Sequence, residues 1–384
     1  MYRRHAGWFA VLVMVLVHGA AAAADSGEDI VLGATLPLSG EFEYYGQSAY
    51  YGVNVRVRQI NAAGGVGGRR LRILFRDNRG DPEVAKRDIV ELVGQHNAVA
   101  VIGPLLSDAA IAVRDLAEAY GVVIISPMAS SDEVTRDNPW MFRIGFSMKG
   151  EAEGIVDFQV RAFGAERCAL VYDQRHTFAL DLARRVGDAF RARGGRVVGM
   201  YPMRDESGGK DLPGLLEKIA AEKPDFIFCA SYALEATEII HAARDSAVAT
   251  RFCASSTWDN ELVFEGAGRR LAGTCITSSL LERSFNYRPF QTFYDAMAAA
   301  GMESPDGQAA NAYDAVSIVA KAMENGTTSE AIREGLLTIK RLPLATGRVS
   351  ITADGSANKS VIIRMVEIIG TRLVPVYAER FDPK

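Results

Sequence analysis

Two neighbouring segments of the sequence end in residues that suit anion binding. VIGPLLSDAA at 101–110 and VVIISPMASS at 122–131 each begin with β-branched apolar residues, which predict a buried strand, and end with serines before a helical stretch. In doubly wound sheets, ligands bind beyond the carboxyl ends of the strands. Ser107 and Ser130 stand at those ends, where hydroxyls and the free N–H groups of helix N-termini favour a carboxylate.

The same two serines also have a purely structural interpretation. Each can cap the helix that follows it, and Ser130 has the capping-box spacing to Glu133. Capping alone would satisfy the helix N–H groups and leave no ligand site. Both interpretations stay open on these residues.

Tyrosines form a second feature at the same end of the predicted sheets. Tyr44 and Tyr45, in GEFEYYGQSAYYG, are predicted in the loop after the first strand, and Tyr232, in ASYALEA, follows a strand in the second half of the chain. Tyrosines beyond the strand ends of two lobes would face each other across a cleft. Clefts of this kind hold small ligands between domains.

The motifs of common enzyme classes are missing from the sequence. INAAGGVGGRRL at 60–71 is glycine-rich, but it follows a helical stretch and precedes a strand, whereas a dinucleotide fingerprint needs the reverse order. There is no nucleophile elbow, phosphate loop or HExxH motif, and His96, His176 and His241 are widely spaced. We therefore expect a binding protein without catalytic residues, cofactor or metal, rather than an exported hydrolase or dehydrogenase.

Strand and helix patterns alternate along the chain in two series. The first series begins at residue 30, and the pattern restarts after residue 148. This alternation predicts an α/β fold of two doubly wound, Rossmann-like lobes, each with a parallel sheet covered by helices. The predicted strands are 30–36, 71–75, 98–102, 122–126, 168–172, 196–201, 225–230, 251–255 and 273–279.

The last third of the chain has three helical stretches, near 287–300, 308–324 and 328–340, but no sheet of its own. It must therefore pack on an existing unit, and the simplest solution returns the chain to the first one. We predict two lobes with a tail of β-hairpins. The N-terminal lobe would comprise 29–147 plus 280–347, and the C-terminal lobe 148–279 plus 348–384.

The N-terminus reads as a cleavable export signal. Arg3 and Arg4 precede an apolar run from Trp8 to Val17, and small residues, Ala20–Ala24, follow it. The run is shorter than the about 18 residues that a membrane span needs. We predict a signal peptide over residues 1–24 and a periplasmic mature chain, and no cysteine follows the cut to carry a lipid.

Charge and cysteines set further limits. Removing the two leader arginines leaves 41 basic against 47 acidic residues, a net charge of −6, so no nucleic-acid partner is indicated.

An oxidising compartment permits disulfides, yet three of the four cysteines lie inside strand-like runs. Buried free thiols and pairing both stay open. The cysteines are Cys168, Cys229, Cys253 and Cys275.

Several segments in consistent order resemble one family. VLGATLPLSGEFEYYGQSAYYGVNVRVRQINAAGGVGGRRLRILFRDNRGDPEVA, VIGPLLSDA, ISPMASSDEVT and FRIGFS are similar to the periplasmic leucine/isoleucine/valine-type substrate-binding proteins of ABC transporters, over about residues 29–350. The resemblance implies two lobes joined by three crossovers that close on a ligand. It also implies a membrane permease as partner, and we expect a monomer. Hinges would lie near 147–150, 278–282 and 347–350.

The resemblance also implies roles for individual residues. Ser107 and Ser130 fall where the family holds the ligand α-carboxylate, and Tyr45 and Tyr232 match aromatic residues of the cleft. Three more candidates lie in the two serine-bearing segments: Leu105, Met128 and Ala129.

The chain departs from the family where the ligand ammonium is bound. Branched-chain amino-acid binders place an acid after the strand matching RFCASST, but here that position is Ser255 or Ser256. Asp259 could substitute if its loop turns inward. Thr177 stands where the family often has a ligand-facing tyrosine, and Phe178 follows it.

An ammonium buried without a carboxylate costs several kcal/mol. Amino acids and deaminated or aromatic organic acids therefore both stay open as ligands. Trp258 and Phe178 would shape the apolar part of the site, or simply pack in the core. A sensory protein of the same fold is the alternative to a transport receptor.

Overall fold

The computed structural model describes residues 28–246, 248–280, 286–369 and 372–383. The predicted signal peptide and its cleavage site lie outside these residues. None of the helices in the described ranges is both long and apolar enough to cross a membrane.

The first lobe is built on a five-stranded sheet in the order β2-β1-β3-β4-β5, with every neighbouring pair parallel. The strand order reverses between β1 and β3, because β2 is added on one side of β1 and β3 to β5 on the other, and doubly wound folds bind ligands at such a point. The elements are β1 (Ile30–Leu36), α1 (Glu43–Ala62), β2 (Leu71–Asp77), α2 (Pro82–Gly94), β3 (Ala100–Ile102), α3 (Ser107–Ala112), α4 (Arg114–Tyr120), β4 (Val123–Ser126) and β5 (Met141–Arg143).

The second lobe repeats the same strand order in its parallel part, β7-β6-β8-β9-β10. β8 is buried along its whole length, as expected for a strand with helices on both faces. The elements are α5 (Met148–Phe163), β6 (Arg167–Tyr172), α6 (Thr177–Ala192), β7 (Arg196–Pro202), α7 (Leu212–Ala221), β8 (Phe226–Ala230), α8 (Ala233–Asp245), β9 (Arg251–Ala254), α9 (Glu261–Ala267) and β10 (Cys275–Ser278).

The last third of the chain serves both lobes. α11 packs along α1, and α12 packs on β4 of the first lobe. The final hairpin completes the second sheet, because β14 pairs antiparallel with β10 and β15 pairs antiparallel with β14. The elements are α10 (Arg288–Ala299), α11 (Gly307–Ala322), α12 (Ser329–Leu337), β11 (Leu342–Leu344), β12 (Gly347–Ile351), β13 (Ala357–Asn358), β14 (Val361–Ile369) and β15 (Arg372–Phe381).

The predicted fold class is confirmed, with one addition. The second sheet is mixed rather than parallel throughout, since the C-terminal hairpin adds two antiparallel strands at one edge. The lobe boundaries at 147, 280 and 347 stay a prediction, and part of the central hinge, 281–282, lies outside the described residues.

The first helix begins earlier than its apolar spacing predicts. α1 starts at Glu43, so Tyr44 and Tyr45 lie in its first turn and the prediction of a loop was wrong. Gly46 explains the difference, because a Cβ at this position would lie 1.8 Å from the Pro37 carbonyl oxygen. The glycine lets the helix start directly against the end of β1, whereas in the sequence it resembles a turn signal.

Candidate ligand-binding cleft

A small cavity lies where the carboxyl ends of the two sheets face each other. Its volume of about 20 Å³ is close to that of one water molecule, so the lobes must separate to admit a larger ligand. Both lobes and the start of α11 contribute to its wall. The lining residues are Met128, Ser130, Gly145, Phe146, Glu151, Phe178, Leu182, Ser255, Ser256, Thr257, Asp259, Ser279, Gly307, Gln308 and Asn311.

The two serine-bearing loops of the first lobe are tied together beneath the cavity. The Ser126 hydroxyl donates to the Pro104 carbonyl at 2.5 Å and accepts from the Ala129 N–H at 3.1 Å. Ser107 Oγ in turn accepts from the Ser131 N–H at 3.3 Å. The loops therefore form one rigid rim.

Neither Ser107 nor Ser130 has the capping role that the sequence left open as an alternative. The N-cap of α3 is Leu106, and Ser107 is the first helical residue, which directs its hydroxyl to the next loop. Ser131, not Ser130, caps the 3-10 turn Asp132–Val134 by accepting from the Glu133 N–H. Ser130 is thereby left in the cavity wall, with its carbonyl accepting from Arg143.

Tyr45 links the lobes at the edge of the cleft. Its buried hydroxyl donates to the Thr257 carbonyl at 2.9 Å and accepts from the Ala233 N–H at 3.0 Å. Tyr232 packs against it at a ring-centroid distance of 5.6 Å and against Phe178 at 4.6 Å. The two tyrosines meet across the lobe boundary, beside the cavity rather than in its wall.

Other contacts hold the two lobes together around the cavity. Thr177, at the start of α6, donates its hydroxyl to the Asp108 carboxylate of the first lobe, so its side chain is used in a bridge between lobes. Further bridges of this kind are Tyr44–Glu261, Ser131–Asp181, Asp132–Arg185 and Glu41–Arg175. The structure is therefore a closed arrangement of the lobes.

Two carboxyl groups of the second lobe line the cavity. Glu151, on α5, is buried, and its Oε1 accepts from the Ser256 N–H at 3.1 Å and from the Thr277 hydroxyl. Burial raises the pKa of Glu151, and these two hydrogen bonds act in the opposite direction. Asp259 does turn inward, and its Oδ1 lies 3.5 Å from Arg364 Nη1.

The start of α11 forms the floor of the cleft. Asp306 caps this helix by accepting from the Ala309 N–H at 2.9 Å, and burial raises its pKa to about 6. Asn311 donates to Ser279 Oγ at 3.2 Å and accepts from the buried Lys359 ammonium at 2.6 Å. Burial lowers the pKa of Lys359 to about 8.

A family model described as periplasmic binding protein matches residues 29–370. The chain belongs to this family. Its members are binding proteins, so the predicted family and the prediction of a binding protein rather than an enzyme are confirmed.

Relatives of this periplasmic binding protein include the Leu/Ile/Val-binding protein BraC3 of Rhizobium johnstonii, 26% identical over 350 residues that cover 90% of this chain and 93% of the relative. A similar structure is a branched-chain amino acid transporter substrate-binding protein of Streptococcus pneumoniae in complex with isoleucine. It has a TM-score of 0.82 and 25% identity, covering 91% of this chain and all of that one. A leucine-binding protein of Thermotoga maritima shares the fold at a TM-score of 0.84 and 20% identity, covering 92% and 99%.

The ten predicted ligand-binding residues of this periplasmic binding protein divide into two groups. Met128, Ser130, Ser256 and Asp259 are in the cavity wall. The other six lie behind or beside it, as core, rim or bridging residues: Tyr45, Leu105, Ser107, Ala129, Thr177 and Tyr232. Trp258 is fully buried and donates to Ser231 Oγ at 3.2 Å, whereas Phe178 does line the cavity. Whether the ten bind ligand stays a prediction.

Sequence reasoning missed Glu151. Its signal was present, because Glu151 interrupts an apolar helix face formed by Met148, Ala152 and Ile155, and all four side chains are buried. A charged residue on such a face needs a partner or a function. Gln308 and Asn311 carried no comparable signal, since polar residues at the start of a helix are common.

Proposed function

We propose that this periplasmic binding protein captures a small amino acid in the interlobe cleft and delivers it to the permease of an ABC transporter. The observation that carries the choice of ligand is the pair of carboxyl groups, Glu151 and Asp259, in the wall of a cavity that also contains Ser130. One carboxyl group compensates a ligand ammonium, and the serine rim suits a carboxylate. A zwitterion satisfies both ends.

The unpartnered oxygen of Asp259 favours an amino acid over a deaminated acid. Asp259 is 5% exposed, and its Oδ2 is buried without a hydrogen-bond partner among the described residues. A buried carboxylate oxygen without a donor is costly. An ammonium group supplies a charged donor for this oxygen, whereas a keto acid has no donor at that end and a hydroxy acid has only a neutral one.

The carboxylate end of the ligand is assigned to the first lobe. Ser126 holds the two loops in register, and Ser130 presents its side chain to the cavity. Hydroxyl and backbone N–H donors at such loops bind carboxylates without a full positive charge. Ser107 would act by fixing the second loop through Ser131.

Delivery requires export and lobe opening. The leader at residues 1–24 would send the chain to the periplasm, where the two lobes open about hinges near 147–150, 278–282 and 347–350. Ligand shifts the population to the closed form, which a permease distinguishes from the open one. Uptake of the ligand by cells with and without this protein separates transport from a sensory role.

A thermal-shift comparison tests the ligand class. Residues 25–384 would be melted with leucine, isoleucine, valine and other amino acids, and with the matched keto and hydroxy acids. A ligand that binds only the folded state stabilises it and therefore raises the Tm. At a free ligand concentration of 100 times Kd, this stabilisation is about 2.7 kcal/mol. We expect a shift with at least one amino acid and none with its deaminated analogue. A shift with the deaminated acids alone would contradict the amino-acid assignment.

A further inference from the structure

Two of the four cysteines are direct neighbours in the second sheet. Cys253 of β9 and Cys275 of β10 are paired residues of adjacent parallel strands, so their side chains leave the sheet on the same face. Neighbouring strands lie about 4.7–4.9 Å apart, which is inside the Cα separation of about 4.4–6.8 Å that a disulfide requires. The two sulfur atoms are in contact, with an Sγ–Sγ distance of 2.7 Å.

The other two cysteines cannot form this arrangement. Cys168 is opposite Phe226, and Cys229 is opposite Val171. The two cysteines are therefore offset by three positions along the strands, and they point to opposite faces of the sheet. Cys229 is also opposite Ala254, the residue after Cys253, which again places the two sulfurs on opposite faces. The register therefore singles out one pair.

Burial determines when these thiols can react. Cys253 and Cys275 are both fully buried, and burial, followed by the contact with Cys275, raises the pKa of Cys253 well above its usual value. The thiolate is the form that attacks a disulfide. Reaction is therefore fastest while the strands are assembling, before an oxidant is excluded from the sheet.

We propose that Cys253 and Cys275 form a disulfide as the exported chain folds, which rests on the periplasmic location in the proposed function. Both S–H bonds break, one S–S bond forms, and two protons and two electrons leave. A disulfide-carrying oxidant of the compartment, either a thiol oxidoreductase or an oxidised small thiol, accepts them and becomes a dithiol. Cys168 and Cys229 stay reduced.

The bond would stabilise a weak point of the cleft. The β9–β10 ladder contains only the pairs Cys253–Cys275 and Ala254–Ile276, yet both strands lead into the cavity wall. Ser255 and Ser256 follow β9, and Ser279 follows β10. A covalent link across this short ladder fixes the spacing of the two wall segments.

Thiol counting tests the proposal. The full chain, exported with its leader, would be denatured without reductant, alkylated and weighed. We expect two alkyl groups on the wild type, because the proposed bond would leave two of the four cysteines free to react. We expect three on Cys275→Ala, whose partner is freed, and one on the matched control Cys229→Ala. Peptide mapping should find a single linked pair, and four alkyl groups or any other pairing would overturn the proposal.

A refolding experiment tests the Cys253–Cys275 pairing independently of whether the chain is exported. Reduced wild-type chain refolded with oxidised glutathione should form the same single link whether or not the natural chain is exported, and an absent or different link would contradict the geometry. Thermal shift with amino acids on the same linked sample then tests the proposed ligand. A linked protein without an amino-acid response contradicts the ligand assignment and leaves the disulfide intact.

Discussion

Glu151 is a carboxyl group on the buried face of a helix, in contact with the backbone of the cleft loop. The position where the family places its ammonium partner is a serine here, and the chain supplies a carboxylate to the same loop from α5. An acid in contact with this loop can thus come from a helix distant in sequence. Strand and helix patterns do not reveal such a replacement, because it depends on how α5 packs beside β9.

The first residue-scale prediction concerns Glu151→Gln. The amide keeps an oxygen that can accept from Ser256 and Thr277 but loses the charge that compensates a ligand ammonium. Hydrogen bonds to charged groups contribute about 1.5–3 kcal/mol, so we expect Kd for the amino acid to rise about 10- to 100-fold. Isothermal titration calorimetry measures this Kd. Glu153→Gln, on the same helix and half-buried, is the matched control and should leave Kd unchanged; equal Kd values for all three proteins would rule out this role.

The pH dependence of binding follows from the same group. Burial raises the pKa of Glu151 above its ordinary 4.5, so its carboxylate is lost at a higher pH than that of an exposed glutamate. We expect amino-acid binding to weaken as the pH falls, starting at a pH above the range in which an exposed glutamate titrates, and the Glu151→Gln protein to show a flatter profile. Parallel profiles for the two proteins would place the titrating group elsewhere.

At the scale of elements, α11 carries a buried acid at its start. Asp306 has a folded pKa of about 6, above its ordinary 3.8. Because the pKa is raised on folding, Asp306 contributes its full stabilisation when the pH is below its pKa in the unfolded chain. This stabilisation is lost as the pH rises through its pKa in the folded protein. The pKa difference corresponds to a loss of about 3 kcal/mol in the free energy of unfolding between acid pH and neutral pH.

Asp306→Asn tests this contribution. Asparagine keeps the acceptor that caps α11 but does not titrate. We expect the free energy of unfolding of the wild type, relative to Asp306→Asn, to fall between pH 4 and pH 7, as measured by urea unfolding at each pH. Titrations shared by both proteins cancel in this difference. A difference that stays constant with pH would mean that Asp306 titrates normally.

Helices and strands were predicted well where apolar spacing is regular. Their ends were predicted less well where tertiary contacts determine the first residue of a helix. β8 and the helices around it follow from apolar spacing, and the repeated alternation was enough to predict two lobes. The start of α1 depends on the close approach of Gly46 to Pro37, and the hydrogen bond between Ser131 and Ser107 depends on two loops meeting. These are contacts between segments distant in sequence, which local spacing does not report.

At the scale of the whole molecule, a few polar bridges hold the lobes closed, and both hydrogen bonds of the Tyr45 hydroxyl are buried. Tyr45→Phe would leave the Ala233 N–H and the Thr257 carbonyl without their partner. Unsatisfied buried groups cost about 1–3 kcal/mol, and the cost falls on the closed form only. We expect Kd to rise about tenfold and the ligand-free radius of gyration, measured by X-ray scattering, to increase.

Tyr51→Phe provides the control for this change, since Tyr51 lies on the same helix and is 40% exposed. It should alter neither Kd nor the radius of gyration. If Tyr45→Phe behaves like Tyr51→Phe, the hydroxyl does not contribute to closure. Tyr45 and Tyr232 pack against each other in the closed arrangement, and their contact with a ligand stays a prediction.

The C-terminal hairpin sets the order in which the protein can be completed. β10 pairs with β14, and Ser278 is opposite Ile362, so the edge of the second sheet stays uncovered until residues 361–381 have been synthesised. The first sheet needs nothing beyond residue 143 for its strands. Contacts between distant segments form slowly, and uncovered strand edges invite pairing with other chains. We therefore expect the sheet of the second lobe to be completed after that of the first, when the final hairpin docks on β10.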